Sequence, residues 1–547
     1  MSADPSPNGS KKKLNISPLL IVAVIAALVV AAGAGALAYR TYLTNKKDDP
    51  KPQQQASTGG IKNTGAPGAA YDAQFNTKSM YPAFNPDRHY YVTRCVPGKI
   101  EVQVNAKPGS TVKVGPYPAK SGRYKAEARP LPSQDFNILI SSGGQTQTYQ
   151  VRCLPDDFPQ WNYTRFKDPP KGMFFVSFRP EPKDAMRSWA VVFDQDGTPR
   201  WWFSTPTNTL GGQILRDGTF QVPRGFGDGF GKDSRTGNEI RSLDGKLLRV
   251  VRTKNAPTDG HEYTLLPNGN ALIMSYKPVL GVDLTSVGGP ADAGVLTGEI
   301  QEITPSGKVV WSWNSLDHVP LDFTAKRWWK KVLKNPHTDI DGNERYDMFH
   351  LNSIEPFGKD QLVISTRHTD KVFGISRKTG KILWTFGGEP DKYSLKIEGD
   401  DPRAEYPIGG NHDARISDGN LLSVHDNSTH LDRPPRAVEY RIDLKNRTAT
   451  YVGQQLDPKK IKDSHCCGGV RPFGTGWIVA WGNNPFVDGF NSENELAFRL
   501  GLPIPVYRAV PVPPEVTERD LNRALEKMEI EPPMSNVPVN PIVEYKK

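Results

Sequence analysis

The chain has 547 residues, of which 37% are hydrophobic, and it contains 50 glycines and 48 prolines. This composition is typical of a large, turn-rich β protein and argues against a helical one. The formal net charge of +10 is scattered along the sequence, which argues against a nucleic-acid partner. Attraction of an anionic lipid or a small anionic substrate is at least as well supported.

The first predicted element is a transmembrane helix or signal anchor over residues 19–39. Residues 19–38 read LLIVAVIAALVVAAGAGALA, and a helix of this length can cross a bilayer. Residues 1–18 then form a basic, cytoplasmic-type N-terminus, and residues 40–80 form a flexible linker. The rest of the chain is expected to be extracytoplasmic, at the cell surface or secreted if the signal is cleaved near Ala34-Gly35-Ala36.

Residues 90–155 are predicted to form a small β-sandwich-like domain. Short alternating stretches such as 100–104 and 111–114 are separated by glycine-containing turns. Cys95 and Cys153 flank this region, and in an exported chain they are expected to form a disulfide that contributes about 3–4 kcal/mol. We interpret the domain as a spacer or packing module without chemistry of its own.

The remaining cysteines, Cys466 and Cys467, are adjacent and lack the CxxC spacing of a structural zinc site. Whether they pair with each other stays open at this stage. Residues 339–343 partly resemble a calcium loop but lack the downstream bidentate glutamate. No metal and no cofactor are therefore predicted, and the oligomeric state stays unknown.

A loose unit recurs six times between residues 160 and 513. Each copy opens with an apolar strand and closes with a Gly-containing hairpin, usually followed by a lysine, apolar residues and a tryptophan. The copies lie at 174–202, 210–246, 261–313, 350–384, 412–443 and 466–510. Repeated four-stranded units predict an all-β fold with a six-bladed β-propeller as the catalytic domain. An insertion at 324–347 is expected to hold a short helix packed on this body.

Residues 514–547 are predicted to form a C-terminal helix and a proline-rich tail. Thr517 and Asp520 have the spacing of a helix N-terminal cap, and Leu521, Leu525 and Met528 form an apolar stripe.

Three units open with a histidine at the start of the predicted innermost strand, namely His261, His350 and His412. Equivalent positions of successive blades converge on the mouth of a propeller's channel, so we expect the three imidazoles to face one pocket. Arg367 lies in a predicted strand over residues 364–368 of the same unit as His350 and offers bidentate donors to an oxyanion. Three histidines fit zinc as readily as nucleophilic catalysis. Because no carboxylate has matching register, we favour an imidazole nucleophile with a cationic anion clamp.

Several phrases of the sequence resemble one known family, the bacterial arylsulfotransferases that do not use nucleotide-activated sulfate. They are LPNGN at 266–270, FHLNSI at 349–354, STRHTDKVFGISRKTGKILWTFGG at 365–388, HDARISDGNLLSVHDN at 412–427 and RAVEYRID at 436–443. The resemblance implies a six-bladed propeller that passes a sulfuryl group from a phenolic sulfate ester to a phenol by a ping-pong mechanism, without a cofactor.

The resemblance also implies roles for individual residues. His412 would be the nucleophile and carry a sulfohistidine. His350 and Arg367 would bind the sulfuryl oxygens, and His261 would serve the leaving phenolate or the sulfuryl group. His425 and His430 lie beyond the strand opening, and we expect them to shape the loop.

Two alternatives stay open on the sequence alone. The propeller could be a membrane-anchored binding module that captures an anionic ligand without catalysis. Alternatively, the adjacent Cys466 and Cys467 resemble the vicinal disulfide of quinoproteins, although such enzymes need more blades and a calcium-binding carboxylate set that this sequence lacks.

Overall fold

The computed structural model describes residues 72–95, 99–178, 187–206, 209, 211–225, 234–339, 341–459 and 461–528. This part of the chain is mostly β-strand with a few short helices, which confirms the prediction of an all-β protein. The predicted N-terminus 1–18, the predicted span 19–39 and the proline-rich tail beyond residue 528 lie outside the described residues. Within the ranges above, no helix is long and apolar enough to cross a membrane.

The N-terminal domain is built from two sheets around one core. Strands β1 (Ala73–Asn76), β3 (Ile100–Ala106) and β5 (Gly122–Ala128) form one sheet, and β2 (Tyr90–Arg94), β4 (Ser110–Val114), β6 (Asp135–Ser142) and β7 (Gln145–Leu154) form the other. Every second residue of β3 is buried, as expected for a strand with one face on a core. The domain therefore begins earlier than residue 90, because β1 lies inside the range predicted as linker.

The predicted disulfide between Cys95 and Cys153 is present and confirms that part of the sequence analysis. Its two Cα atoms are 5.6 Å apart, within the usual range for a disulfide. Both cysteines belong to the domain's buried core, together with Phe75, Tyr91 and Tyr149.

Six further sheets follow one another along the described residues. Their strands are β8 (Asn162–Arg165), β9 (Met173–Phe178), β10 (Ser188–Asp194), β11 (Pro199–Thr205), β12 (Gln213–Ile214), β13 (Thr219–Arg224), β14 (Gly237–Ser242), β15 (Leu247–Val251), β16 (Thr258–Leu265), β17 (Ala271–Val282), β18 (Ala293–Ile303), β19 (Val309–Asn314), β20 (His337–Thr338), β21 (Glu344–Asp347), β22 (Leu351–Phe357), β23 (Gln361–Thr366), β24 (Lys371–Ser376), β25 (Ile382–Phe386), β26 (Lys396–Glu398), β27 (His412–Ser417), β28 (Leu421–Asp426), β29 (Arg436–Asp443), β30 (Thr448–Gln455), β31 (Gly469–Phe473), β32 (Gly476–Ala480), β33 (Phe486–Phe490), β34 (Leu496–Gly501) and β35 (Ala509–Pro511).

The two ends of this region are exchanged between the first and last sheets. The first sheet has the order β11-β10-β9-β35, so one of its edges is the last strand of the described residues. The last sheet has the order β31-β32-β33-β34-β8, so its outer edge is the first strand of the region. The sequence analysis placed residues 507–510 in the sixth unit, which is wrong for Ala509 and Val510. A short alternating strand fits many sheet edges, and only the tertiary structure selects one.

Tryptophans link neighbouring sheets. The indole Nε1–H of Trp201, in the first sheet, donates to the Leu243 carbonyl of the second at 2.8 Å. Trp313 of the third sheet donates in the same way to Gly380 of the fourth at 2.9 Å, and Trp161, just before β8, donates to Gly197 of the first at 3.0 Å. Because a buried indole N–H needs an acceptor, these bonds fix the angle between neighbouring sheets.

The helices are short and lie against the sheets. They are α1 (Ser315–His318), α2 (Lys326–Lys334) and α3 (Glu518–Leu525), with 3-10 turns at Thr285–Val287, Leu321–Phe323 and Asp418–Asn420. Helix α2 lies in the predicted insertion, and its Trp328 is buried. Thr517 and Asp520 form a reciprocal capping box at the start of α3, whose Leu521 and Leu525 pack into the core of the first sheet.

A network of charges, most of them buried, joins β16, β27, β31 and the residue that precedes β35. Asp413 accepts from the guanidinium groups of Arg415 at 2.7 Å and Arg471 at 2.9 Å, and Arg508 lies 3.0 Å away. Glu262 pairs with Arg415 at 2.5 Å and with Arg508 at 3.3 Å. Burial alone would raise the pKa of Asp413, but Arg415, Arg471 and Arg508 outweigh it and hold that pKa well below its usual value.

Replacing Asp413 by asparagine should strongly destabilise the protein. The change removes the carboxylate charge that Arg415, Arg471 and Arg508 share, and an uncompensated buried charge costs about 3–5 kcal/mol. Asp418→Asn is the matched control because Asp418 lies exposed in the turn that follows the same strand. Urea unfolding followed by tryptophan fluorescence measures both. Equal unfolding midpoints for the two variants would contradict the importance of the network.

Candidate active site

The structure brings the three predicted histidines together. His261 lies within β16, His350 directly precedes β22, and His412 is the first residue of β27. The ring centroids of His261 and His350 are 5.6 Å apart, and those of His261 and His412 are 6.4 Å apart. His261 is therefore the middle member of the cluster.

Each of the three strands has a β-bulge at its histidine. The register shifts between Asp259 and Tyr263 in β16, between Leu351 and Ser353 in β22, and between His412 and Arg415 in β27. Bulges bend a strand and re-aim its side chains, and they are frequent beside active sites. The bulges of the last two strands are also joined, since the backbone N–H of Asp413 donates to the Asn352 side chain at 3.2 Å.

His412 is held as one tautomer of a neutral imidazole. Its Nδ1 lies 2.7 Å from the carbonyl oxygen of Gly468, and a carbonyl can only accept, so Nδ1 carries the proton. The other nitrogen, Nε2, is buried and has no hydrogen-bond partner among the described residues. Burial lowers the pKa of His412 well below the usual value, and the positive charge of Arg508 lowers it further. Nε2 therefore presents a lone pair.

Only glycine fits at position 468. Its φ of +86° lies in the left-handed region, and a Cβ there would lie 2.8 Å from the Ala480 carbonyl and clash with the ring of His425. The close approach fixes the carbonyl that selects the tautomer of His412. The sequence analysis missed Gly468, although the glycine pair after Cys467 was a signal for such a turn.

His261 and His350 have carboxylate partners where His412 has a carbonyl. Nδ1 of His350 donates to Asp347 Oδ2 at 2.5 Å, and the same carboxylate accepts from the backbone N–H of His350 at 2.9 Å. Asp259 in the same way contacts Nδ1 of His261 and accepts from its backbone N–H at 2.8 Å. The sequence analysis missed both aspartates, which lie two and three positions before their histidines.

The carboxylate of Asp347 favours a positive charge on His350, while the other surroundings of His350 oppose it. Burial lowers the pKa of His350 well below its usual value, and the nearby Arg367 acts in the same direction. The empty pocket thus keeps His350 neutral. An entering anion would oppose both effects and favour the imidazolium form, which can donate from Nε2.

Arg367 lies in the turn after β23, not within the strand as predicted, because β23 ends at Thr366. Its guanidinium donates to Nε2 of His368 at 3.0 Å and to the carbonyl of His465, and it stacks on Trp328 with 4.7 Å to the ring centroid. The centroid of His368 in turn lies 4.9 Å from that of His350. Arg367 therefore lies at the His350 end of the cluster, and its guanidinium packs on the ring of Trp328.

Asp347, His350 and His368 each offer a possible metal-ligand atom within 4.8 Å of one another. Both ring nitrogens of His368 are already engaged, since Nδ1 donates to the Asp347 carbonyl at 2.7 Å and Nε2 accepts from Arg367. A cation here would break both bonds and face a guanidinium. The residues fit a hydrogen-bonded anion site better than a metal site.

Tyr507 forms a wall of the cluster that the sequence analysis did not assign to it. Its ring centroid lies 5.1 Å from that of His412 and 5.9 Å from that of His261, with near-perpendicular planes. The phenol O–H donates to the His261 carbonyl at 3.1 Å. Tyr507 therefore holds the two imidazoles apart.

His425 and His430 were both expected to shape the loop, which is wrong for His425 because it lies within strand β28. His425 faces His412 across the β27–β28 pair and is fully buried, which lowers its pKa to about 4. His430 contacts the ammonium of Lys331 and lies 5.8 Å from the ring of Trp328.

The sequence model of the arylsulfotransferase (ASST) family matches residues 211–501, more than half of the chain. No curated protein matches the chain. Solved structures similar to it include a protein of unknown function from Bacteroides caccae (13% identity, 63% of this chain and 99% of that one, TM-score 0.36). Others are a putative 6-phosphogluconolactonase from Bacteroides fragilis (12%, 63% and 98%, 0.33) and the β-propeller domain of Cps50 (Swd1) from Myceliophteria thermophila (13%, 54% and 88%, 0.30). At these TM-scores the structural likenesses carry no argument.

Proposed function

The chain belongs to the arylsulfotransferase family, and we propose that it transfers a sulfuryl group from a phenolic sulfate ester to a phenol through a covalent intermediate on His412. Family membership agrees with the resemblance drawn from the motifs. The observation that carries the proposal is the buried Nε2 of His412, which has a lone pair, no partner among the described residues and a fixed tautomer.

The proposal includes the arrangement of the six sheets as the blades of a propeller. The exchange of β8 and β35 between the last and first sheets supports a closed ring, and so do the tryptophan bonds between consecutive sheets. A closed ring would place β16, β22 and β27 side by side, as the cluster of His261, His350 and His412 requires.

In the first half-reaction, Nε2 of His412 attacks sulfur in line with the leaving oxygen. The N–S bond forms, the S–O bond to the aryl group breaks, and its electron pair leaves with the phenolate. The imidazole ring becomes more positive as it is sulfonated, and the Gly468 carbonyl stabilises it by accepting from Nδ1–H.

Arg367 and the two carboxylate-paired histidines complete this step. Arg367 and His350 form one end of the cluster and are proposed to bind the sulfuryl oxygens. His261 lies between His350 and His412, so it is the candidate to protonate the departing phenolate. Asp259 stabilises the imidazolium from which that proton comes.

The second half-reaction reverses these roles. A phenol enters the site vacated by the first product, and neutral His261 takes its proton while its oxygen attacks sulfur. The N–S bond breaks and its electrons return to His412, which regenerates the starting tautomer. The two products leave in separate steps, which predicts ping-pong kinetics.

We also propose that residues 19–39 anchor the protein, with the catalytic part outside the cytoplasm. The charge-free stretch of the sequence supports it. The full chain should remain in the membrane pellet after an alkaline wash, whereas a chain that begins at residue 41 should not. Release of the full chain would contradict the anchor.

His412→Ala should abolish transfer from 4-nitrophenyl sulfate to phenol, because the change removes the nitrogen that is proposed to attack sulfur. With the wild type, added phenol should accelerate nitrophenol release, and mass spectrometry after donor treatment should find sulfate on the peptide that carries His412. His89→Ala, in the exposed part of the N-terminal domain, is the control. Full turnover in His412→Ala would contradict a covalent intermediate on His412. A wild type inert to a panel of aryl sulfates would favour the binding-module alternative.

Asp259→Asn should lower the rate more for donors with poor leaving groups than for activated ones. Without the carboxylate, the imidazolium form of His261 that donates this proton loses its stabilising partner. Protonation of the leaving oxygen contributes about 10²–10⁴-fold when the phenolate is basic. The measurement is the first half-reaction rate for a series of aryl sulfates with phenols of different pKa. Asp418→Asn is the control. The same loss for every donor would assign Asp259 a purely structural role.

A further inference from the structure

Cys466 and Cys467 lie directly beside the candidate active site. They occupy the segment between β30 and β31, and both are half-buried, so small molecules can reach them. The Cys467 thiol hydrogen-bonds to the sulfur of Cys466, and the charge of Arg367 acts on both. The proposed mechanism uses neither thiol.

The residues on either side of this pair provide two contacts on which the site depends. The His465 carbonyl, before it, accepts from the guanidinium of Arg367. The Gly468 carbonyl, after it, accepts from Nδ1–H of His412 at 2.7 Å. One four-residue segment therefore holds both the proposed nucleophile and the proposed anion clamp.

We propose that Cys466 and Cys467 form a reversible thiol–disulfide site that reacts with small disulfides and controls the proposed sulfuryl transfer. This inference rests on the proposed function. The Cys466 thiolate attacks a small disulfide such as oxidised glutathione, forms a mixed disulfide and expels one thiolate. Cys467 loses its proton to solvent and attacks the Cys466 sulfur, which closes the Cys466–Cys467 disulfide and releases the second thiol. The protein loses two electrons and two protons, and the small disulfide is reduced to two thiols.

The surroundings make Cys466 the attacking group. The hydrogen bond from Cys467 lowers the pKa of Cys466 to about 7, with Arg367 and His261 contributing, while that of Cys467 is raised. A thiol with a pKa near ambient pH is close to the optimum for disulfide exchange.

Adjacent cysteines make a strained disulfide, which suits a switch better than a structural cross-link. Neighbouring Cα atoms lie about 3.8 Å apart across a trans peptide, whereas relaxed disulfides span about 4.4–6.8 Å. Cys95 and Cys153, at 5.6 Å, meet that range. Strained disulfides are the more easily reduced ones. Reduction under mild conditions should therefore open Cys466–Cys467 and leave the N-terminal disulfide intact.

Formation of the Cys466–Cys467 disulfide should lower activity because it moves the carbonyls of His465 and Gly468. Cys467 already has a left-handed backbone with φ of +68°, so the segment has little freedom to absorb the new bond locally. The side-chain N–H of Asn427 also donates to the Cys467 carbonyl at 3.0 Å and restrains that peptide. The displacement caused by the disulfide should therefore extend to the neighbouring peptides. We expect the Gly468 contact to His412 and the His465 contact to Arg367 to weaken together.

The test compares the full-length protein equilibrated with mostly reduced or mostly oxidised glutathione. Peptide mass spectrometry after alkylation reports the state of each cysteine pair. Two functional readouts are the rate of transfer from 4-nitrophenyl sulfate to phenol and the calorimetric affinity for 4-nitrophenyl sulfate, both measured at once after transfer. Oxidation should reduce the transfer rate by about 10–100-fold and weaken binding, and reduction should restore both. Cys466→Ala and Cys467→Ala should lose the dependence on glutathione, whatever their absolute rates.

The outcomes separate this inference from the proposed function. If the pair becomes a disulfide and neither rate nor affinity changes, or if the alanine variants respond like wild type, the switch is wrong. If the pair cannot be oxidised while Cys95–Cys153 forms, it is also wrong. If no transfer occurs in either state but affinity still follows the pair, the switch stands and the proposed function falls.

Discussion

The hydrogen bond from His412 Nδ1–H to the Gly468 carbonyl is the constraint on which the site depends. It keeps the proton off the nitrogen proposed to attack, and that nitrogen is buried with no hydrogen-bond partner in the part of the chain that the structure describes. The bond joins β27, an edge strand of the fifth sheet, to the residue that precedes β31 of the sixth. The proposed nucleophile therefore depends on the contact between two sheets. The packing of Gly468 against Ala480 and His425 fixes the carbonyl that sets the tautomer of His412.

Three identical side chains acquire different chemistry from their Nδ1 partners. In the proposed reaction, the neutral carbonyl leaves Nε2 of His412 free to attack, whereas the carboxylates would stabilise a positive charge on His261 and His350. The buried carboxylates of Asp413 and Glu262 also favour a positive charge in the cluster. They pair with Arg415 and Arg508, which would otherwise repel any protonated histidine there.

Much of the framework was predictable because it depends on local signals. Turn-and-strand repeats indicated an all-β fold, the flanking cysteines indicated the N-terminal disulfide, and three histidines at strand openings indicated a common pocket. The partners of those histidines were not predictable. Asp259, Asp347 and Gly468 matter only through bulges and sheet contacts, which alternation does not reveal. For the same reason β35 was placed in the wrong sheet, and Arg367 in a strand instead of the turn that follows it.

The bulges explain why the site lies where it does and why it needs the rest of the fold. Each bulge leaves ladder groups unpaired, and His350 and Asp413 also adopt left-handed backbones, with φ of +54° and +55°. Such strain persists only where the surroundings over-determine it. Here the carboxylate of Asp347 accepts from the His350 backbone, Asn352 binds the Asp413 backbone, and Arg508 donates to the Asn352 carbonyl at 2.6 Å. Arg508 directly precedes β35, which follows the last sheet along the chain and pairs with the first sheet. The pairing of β35 therefore also positions Arg508, which supports the strained backbone. The pairing of β35 with the first sheet and the geometry of the site therefore depend on each other.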